Sequence, residues 1–149
     1  MWRGVAWCGA IGPAAFIGAW ALGGAITSRD YSPVEDTISQ LAAVGAPTRP
    51  LMTAGMIVFG VALPVYAGAM RRSLPGRAWI AAATTGVATL GVAAAPLDHS
   101  DLVDGLHVVA AGAGYVTLAI IPLLARTALI AAGHHRLAAN VVMVGPTVG

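Results

Sequence analysis

Four stretches of this chain lack any acidic, arginine or lysine side chain, and their lengths dictate what it can fold into. Gly4–Ser28, Pro50–Met70, Ala78–Leu97 and Gly105–Ala125 each run for at least 20 residues, and His107 is their only titratable group apart from Cys8 and tyrosines. An α-helix rises about 1.5 Å per residue, so about 20 apolar residues cross the hydrocarbon core of a bilayer. In that core every backbone N–H and C=O needs a partner within the segment, which favours helices for runs of this length. Pro13 and Pro64 fall inside two of the runs and predict kinks. The wider composition agrees. The chain is 58% hydrophobic and 9% charged, against about 25% charged in a soluble domain.

These runs predict an all-α transmembrane helical bundle, a single integral membrane domain over 1–149. Four full spans (about 4–28, 50–70, 78–97 and 105–125) precede a C-terminal fragment, 127–149, that reads as a partial fifth. The first run is too long for the apolar region of a signal peptide, about 7–15 residues. Cys8 is the only cysteine, so no internal disulfide forms. The net charge is only +2, and all eight basic residues are arginines scattered between apolar runs. That pattern excludes nucleic-acid binding.

The arginines set an expected orientation. With the N-terminus in the cytoplasm, Arg3, Arg71, Arg72, Arg77, Arg126 and Arg136 lie inside, and Arg29 and Arg49 outside, in keeping with the positive-inside rule. Trp2, Trp7 and Trp79 then fall at the inner interface. The acids Asp30, Glu35, Asp36, Asp98, Asp101 and Asp104 all fall in the two outer loops. The expected location is the cell inner (plasma) membrane, multi-pass. With no hydrophobic drive between helices in lipid, the spans are expected to pack through their many glycines and alanines.

The polar segment Tyr31–Gly45 predicts a short amphipathic helix in the first outer loop, over about 33–44. Ser32 is placed to cap it, Pro33 suits the first helical position, and Glu35 completes a capping-box spacing. Gly45 and Pro47 supply a stop. Val34, Ile38 and Leu41 share one helical face. Burying them yields about 5–8 kcal/mol, less than the about 1–2 kcal/mol per residue needed to order the segment. A platform is therefore required, and the segment is expected to lie as a lid over the outer mouth of the bundle.

Chemistry-bearing residues concentrate on the same side. If a helix starts near Ser100, Asp101, Asp104 and His107 fall near one another on its surface, with His107 about 9 Å below Asp101. Asp98 and His99 precede them, and Glu35 and Asp36 come from the other outer loop. Such oxygens and an imidazole could hold a divalent metal, and His107 with Asp104 could act as an acid–base pair. The structural alternative is that the acids complement a helix dipole and that Asp104 and His107 satisfy each other. An ionisable group within a span is nevertheless a functional candidate by default. Thr84, Thr85 and Thr89 either line a path or bond to their own helix backbone. His134-His135-Arg136 reads as a solvated inner loop.

Tyr31-Ser32-Pro33 followed by Asp36-Thr37-Ile38-Ser39-Gln40-Leu41 resembles the first-loop signature of domain of unknown function family 998, bacterial and archaeal polytopic membrane proteins. Pro96-Leu97-Asp98, followed by Leu106-His107, resembles its second signature. The resemblance runs from the first span to about Arg126, and it singles out Ser39, Asp98 and His107. Gln40 stands where an acid is common, and Gly45 comes later than the expected glycine. Members usually carry more spans than the four and a fragment here, and this apparent truncation at the C-terminus fits a shortened relative, a truncated reading frame or a piece of a longer chain.

Together these features predict a small polytopic membrane protein that is a structural, lipid-contacting or partner-binding module. Its partners would be the lipid bilayer and a second copy or another membrane protein. No cofactor is expected. The alternative is a membrane-embedded metal-dependent hydrolase at the outer face. There His107 with Asp98 or Asp104 would bind a divalent metal or move protons, assisted by Ser39. A transporter fragment using His107 as a proton-sensitive group is a third reading.

Overall fold

In the computed structural model, residues 3–28 and 31–143 are described. Trp2, Arg29, Asp30 and Val144–Gly149, which enter the expectations above, lie outside them. The described residues are helical, with no strand among them. A short α1 (Arg3–Ala6) leads into α2 (Cys8–Ile26), and the 3-10 helix η1 (Ile38–Ala42) follows. Then come α3 (Arg49–Ser73), α4 (Ala78–Ala94), α5 (Asp101–Ala131) and α6 (His135–Met143).

Three segments are long and apolar enough to cross a membrane: Gly4–Ile26, Arg49–Ser73 and Asp101–Ala131. The third expected span is a shorter apolar helix of 17 residues, Ala78–Ala94. The helices form a row in which α2 packs on α3, α3 on α4 and α4 on α5. The two ends of the row, α2 and α5, do not make a packed pair.

Small residues set the spacing within the row. At the α2–α3 crossing, a Cβ on Gly12 would stand 2.9 Å from the Ala62 methyl. At the α3–α4 crossing, a Cβ on Gly86 would strike the Pro64 ring and stand 2.8 Å from the Gly60 carbonyl oxygen. Pro64 has no N–H to offer Gly60, four residues earlier. The backbone of Gly86 thus approaches the very carbonyl that the proline leaves without its helical donor. Thr85, one residue earlier, donates to the Ala81 carbonyl at 2.9 Å and lies 2.8 Å from the Thr117 hydroxyl of α5. Thr89 donates to the Thr85 carbonyl at 2.9 Å. The threonines therefore bond to their own helix, and Thr85 also links α4 to α5. Further along, Ala67, Met70, Ala78 and Ala82 fill the space between α3 and α4, with Ile121 and Leu124 packed on them from α5.

The expected helix over 33–44 does not form as one element. Ser32 does cap a turn: Glu35 N–H donates to its hydroxyl at 3.3 Å and Asp36 N–H to its carbonyl at 2.8 Å. The return bond comes from Asp36, whose Oδ2 accepts from Ser32 N–H at 2.8 Å. Side chains that close a single turn in this way compete with helix propagation. Thr37 is extended (φ −76°, ψ 144°), and only the 3-10 helix Ile38–Ala42 follows. The break changes which residues face inward. Val34 is 92% exposed, whereas Leu41, Ala42 and Ala43 are buried. Gly45 does end the segment, in a left-handed conformation (φ 78°).

Two other boundaries move. α5 starts at Asp101 after Ser100, whose hydroxyl accepts from Val103 N–H at 3.4 Å, in keeping with the expected start. It runs past Arg126 to Ala131, because no glycine or proline falls between Arg126 and Gly133 (φ 79°). Of the C-terminal fragment, the described part is therefore the end of α5 followed by α6 (His135–Met143).

The α3–α4 crossing makes a quantitative prediction. Gly86→Val should cost about 1–3 kcal/mol through overpacking, while Gly68→Val, where a Cβ meets nothing within 4 Å, should be neutral or slightly stabilising, since valine is no worse a helix former than glycine. Unfolding of the detergent-solubilised protein, followed by circular dichroism, compares the two. Equal losses would mean that the crossing does not set the packing.

Candidate functional site

The polar groups converge on the end of the bundle that carries the 31–48 segment. Four hydrogen bonds assemble it. Trp20 Nε1–H of α2 donates to the Tyr31 hydroxyl at 2.9 Å. Thr48, buried before α3, donates through its hydroxyl to the Leu41 carbonyl at 2.9 Å. Val44 N–H donates to the Leu97 carbonyl at 2.9 Å, joining this segment to the α4–α5 loop. His107 of α5 completes the set, with its Nδ1 2.7 Å from the Ala95 carbonyl. A carbonyl only accepts, so His107 carries a proton on Nδ1, and in the neutral ring Nε2 holds a lone pair.

Leu41 anchors the segment below these bonds, in a cluster with Ala19, Ala42, Met52 and Met56. It reaches α2 where Gly23 leaves room, and a Cβ there would lie 3.5 Å from the Leu41 methyl. Trp20, Tyr31 and Ile38 pack on the cluster's edge. Buried apolar contact and backbone-directed hydrogen bonds together supply the platform that the segment needs.

The candidate residues separate within this end. His107 is buried, at 4% exposure. Its ring is held by the Ala95 carbonyl, which lies in the C-terminal cap of α4. Asp104 is half-buried, and its Oδ1 is enclosed without a hydrogen-bond partner. Asp98 is exposed and in the left-handed region at φ 63°, a conformation that Asp adopts more readily than most residues. Asp101 and His99 are exposed, and Ser39 is half-buried in η1. Among the described residues, no three His, Cys, Asp or Glu side chains are grouped to hold a metal ion.

Ser39 belongs instead to a cleft of about 320 Å³ within the bundle. Phe16 and Ile17 of α2 form one wall, Met56 and Phe59 of α3 the back, and Ala111 and Tyr115 of α5 the other wall. Ile38 and Ser39 close its upper end, and Thr85 and Thr89 contribute from α4. Asp98, Asp104 and His107 are not among its lining residues. Sequence reasoning missed this cleft. Its walls are ordinary apolar residues on four separate helices, with no spacing signature to connect them. The Val44–Leu97 and Thr48–Leu41 bonds were also missed, since neither backbone groups nor a lone threonine signal a distant partner.

The His107 contact has a measurable consequence. His107→Leu leaves the Ala95 carbonyl without its donor and should cost about 1–3 kcal/mol. Hydrogen exchange should rise at Leu97–Asp98 and Val44, which share the latch, and stay unchanged at Ala67–Met70. Unchanged protection at Val44 would show that the two loops are held independently.

The family model described as Protein of unknown function (DUF998) matches residues 10–148, and the chain belongs to that family. No curated protein and no solved structure matches it.

Proposed function

We propose that this member of the DUF998 family is a multi-pass inner-membrane protein with a cytoplasmic N-terminus, serving as a non-catalytic, lipid-contacting module. In this reading α2, α3, α4 and α5 are its four spans, and η1 closes their outer end. The observation that carries the reading is the outer surface of α5. The most apolar 18-residue stretch of this helix is 0% buried. Leu102, Leu106, Val108, Val109, Val116 and Leu123 all present large apolar side chains outward. A contiguous apolar surface of that length is costly in water and at no cost in hydrocarbon.

The polar groups support the same reading through what they touch. His107 binds the end of α4, Thr48 and Val44 hold the 31–48 segment, and Asp98 sits on an exposed turn. A Ser39–Asp98–Asp104–His107 centre would need these four side chains to share a pocket, and Ser39 lines a cleft to which the other three do not contribute. The orientation rests on the arginines at the opposite end. There Arg71 lies 5.0 Å from the centroid of the Trp79 ring, a cation–π pair suited to a headgroup interface.

Two measurements test the reading. In a Cys8→Ala background, an impermeant maleimide added to intact cells should label Ser100→Cys and spare Ser73→Cys. The reverse pattern would invert the assigned orientation. Metal analysis of the purified protein should find no stoichiometric metal in either wild type or His107→Ala. A stoichiometric metal in wild type that disappears in the variant would replace the lipid-contacting role with a metal-dependent one.

A further inference from the structure

The end of the bundle opposite the 31–48 segment carries charge of one sign. Arg71 and Arg72 lie in the last turn of α3, Arg77 precedes α4, Arg126 lies near the end of α5 and Arg136 in α6. All five are exposed. Packing brings these segments together: α1 packs on α3, and a Cβ on Gly76 would stand 3.8 Å from the Ala128 methyl of α5. The described acids are Glu35, Asp36, Asp98, Asp101 and Asp104, and all belong to the other end. The 25 residues of α3 separate the two ends, by about 37 Å, too far for ion pairs. Arg71 and Arg72 complement the dipole of α3, but a helix end is worth only about half a charge. Most of the positive charge is therefore uncompensated among the described residues.

Beside it lies a recess of about 340 Å³, lined by Ala6 of α1 and by Ala69, Arg72 and Ser73 of α3. Ser73 donates its proton to the Ala69 carbonyl at 2.9 Å, so the side-chain donors of the recess are those of Arg72. A guanidinium offers five of them, in a planar fork that matches two phosphate oxygens. Arg71 is held on the other side of the α3 terminus, 5.0 Å from the centroid of the Trp79 ring. Deeper along α3 the same face turns apolar. Val65 and Val61 lie one and two turns below Ala69, and both are exposed.

Resting on the lipid-contacting reading and its orientation, we propose that this recess binds the headgroup of an anionic phospholipid of the cytoplasmic leaflet. Arg72 contacts the phosphate, and Arg71, Arg77 and Arg126 supply the surrounding field. Charge complementarity selects this occupant. The cytoplasmic leaflet is anionic, and each basic residue near its surface adds about 1 kcal/mol of attraction. A zwitterionic headgroup brings its own cation among the arginines and loses most of that gain. The apolar track of Val65 and Val61 below the recess suits the acyl chains of the same molecule, which a soluble anion lacks.

The purified protein in detergent is titrated with phosphatidylglycerol or phosphatidylethanolamine of the same acyl chains, and bound lipid is counted by native mass spectrometry. Phosphatidylglycerol should bind about tenfold more tightly, equivalent to about 1.4 kcal/mol. Arg72→Gln should remove most of that preference. Arg72→Lys should keep part of it, since lysine retains the charge and loses the fork. Ala6→Glu, which adds a carboxylate to the opposite wall, should abolish it without touching α3. Arg49→Gln, at the other end of α3, should leave it intact. Equal affinity of the wild type for the two lipids would overturn the proposal, as would a preference that survives both Arg72→Gln and Ala6→Glu. Displacement of bound phosphatidylglycerol by millimolar glycerol 3-phosphate would assign the recess to a soluble anion and overturn it as well. Failure of this site leaves both lipids bound with equal affinity, whereas failure of the lipid-contacting role leaves neither bound, so the two are separable.

Discussion

The close approach of Gly86 to Gly60 and Pro64 governs how the other helices can be arranged. Lipid offers helices no hydrophobic reason to associate, so they gain from contact only where their surfaces meet without side chains between them. A Cβ on Gly86 would meet both the Pro64 ring and the Gly60 carbonyl. Proline costs a helix one hydrogen bond and leaves a carbonyl facing outward. Setting the backbone of Gly86 against that carbonyl covers the polar group within the protein. The Thr85–Thr117 contact then joins the next helix at the same level, and α3, α4 and α5 share one fixed depth.

Packing through a central pair leaves α2 and α5 without a packed contact between them. α2 lies on α3 and α5 lies on α4, and the space between α2 and α5 becomes the cleft. The 31–48 segment closes its upper end because it is tied on both sides: to α2 through Trp20–Tyr31, and to the α4–α5 loop through Val44–Leu97. His107 holds that loop in turn through the Ala95 carbonyl. The 31–48 segment and the α4–α5 loop are therefore adjacent in space, and what joins them is backbone hydrogen bonding, not a shared set of acids. Asp104 Oδ1, enclosed without a partner, is the polar atom for which this end of the molecule provides no account.

Legibility differed from element to element for physical reasons. The long apolar runs declared helices because lipid admits little else, and α2, α3 and α5 lie where those runs lie. Their ends were less certain, since Arg126 marks a change of environment and not of conformation, and α5 continues to Ala131. Ser32 capped a turn as read, and α5 starts just after Ser100 as expected. The helix that Ser32 was expected to start stopped after one turn, because Asp36 returned the bond and Thr37 extended. His107 was marked as an ionisable group within a span, but its partner is a backbone carbonyl 12 residues away and not Asp104.

The sequence by itself determined that this chain is helical, that it belongs in a membrane, and where its polar segments fall. Each of those follows from composition along a single stretch and the requirement that backbone groups be satisfied locally. Tertiary structure alone decided that α2 and α5 would stand apart, that Ser39 would join a cleft and Asp98 a solvent-facing turn, and that Leu41 rather than Val34 would be the buried anchor. Those outcomes depend on which glycine meets which neighbouring helix and on hydrogen bonds between backbone atoms far apart in the chain. Residue type carries no mark of either until the helices meet.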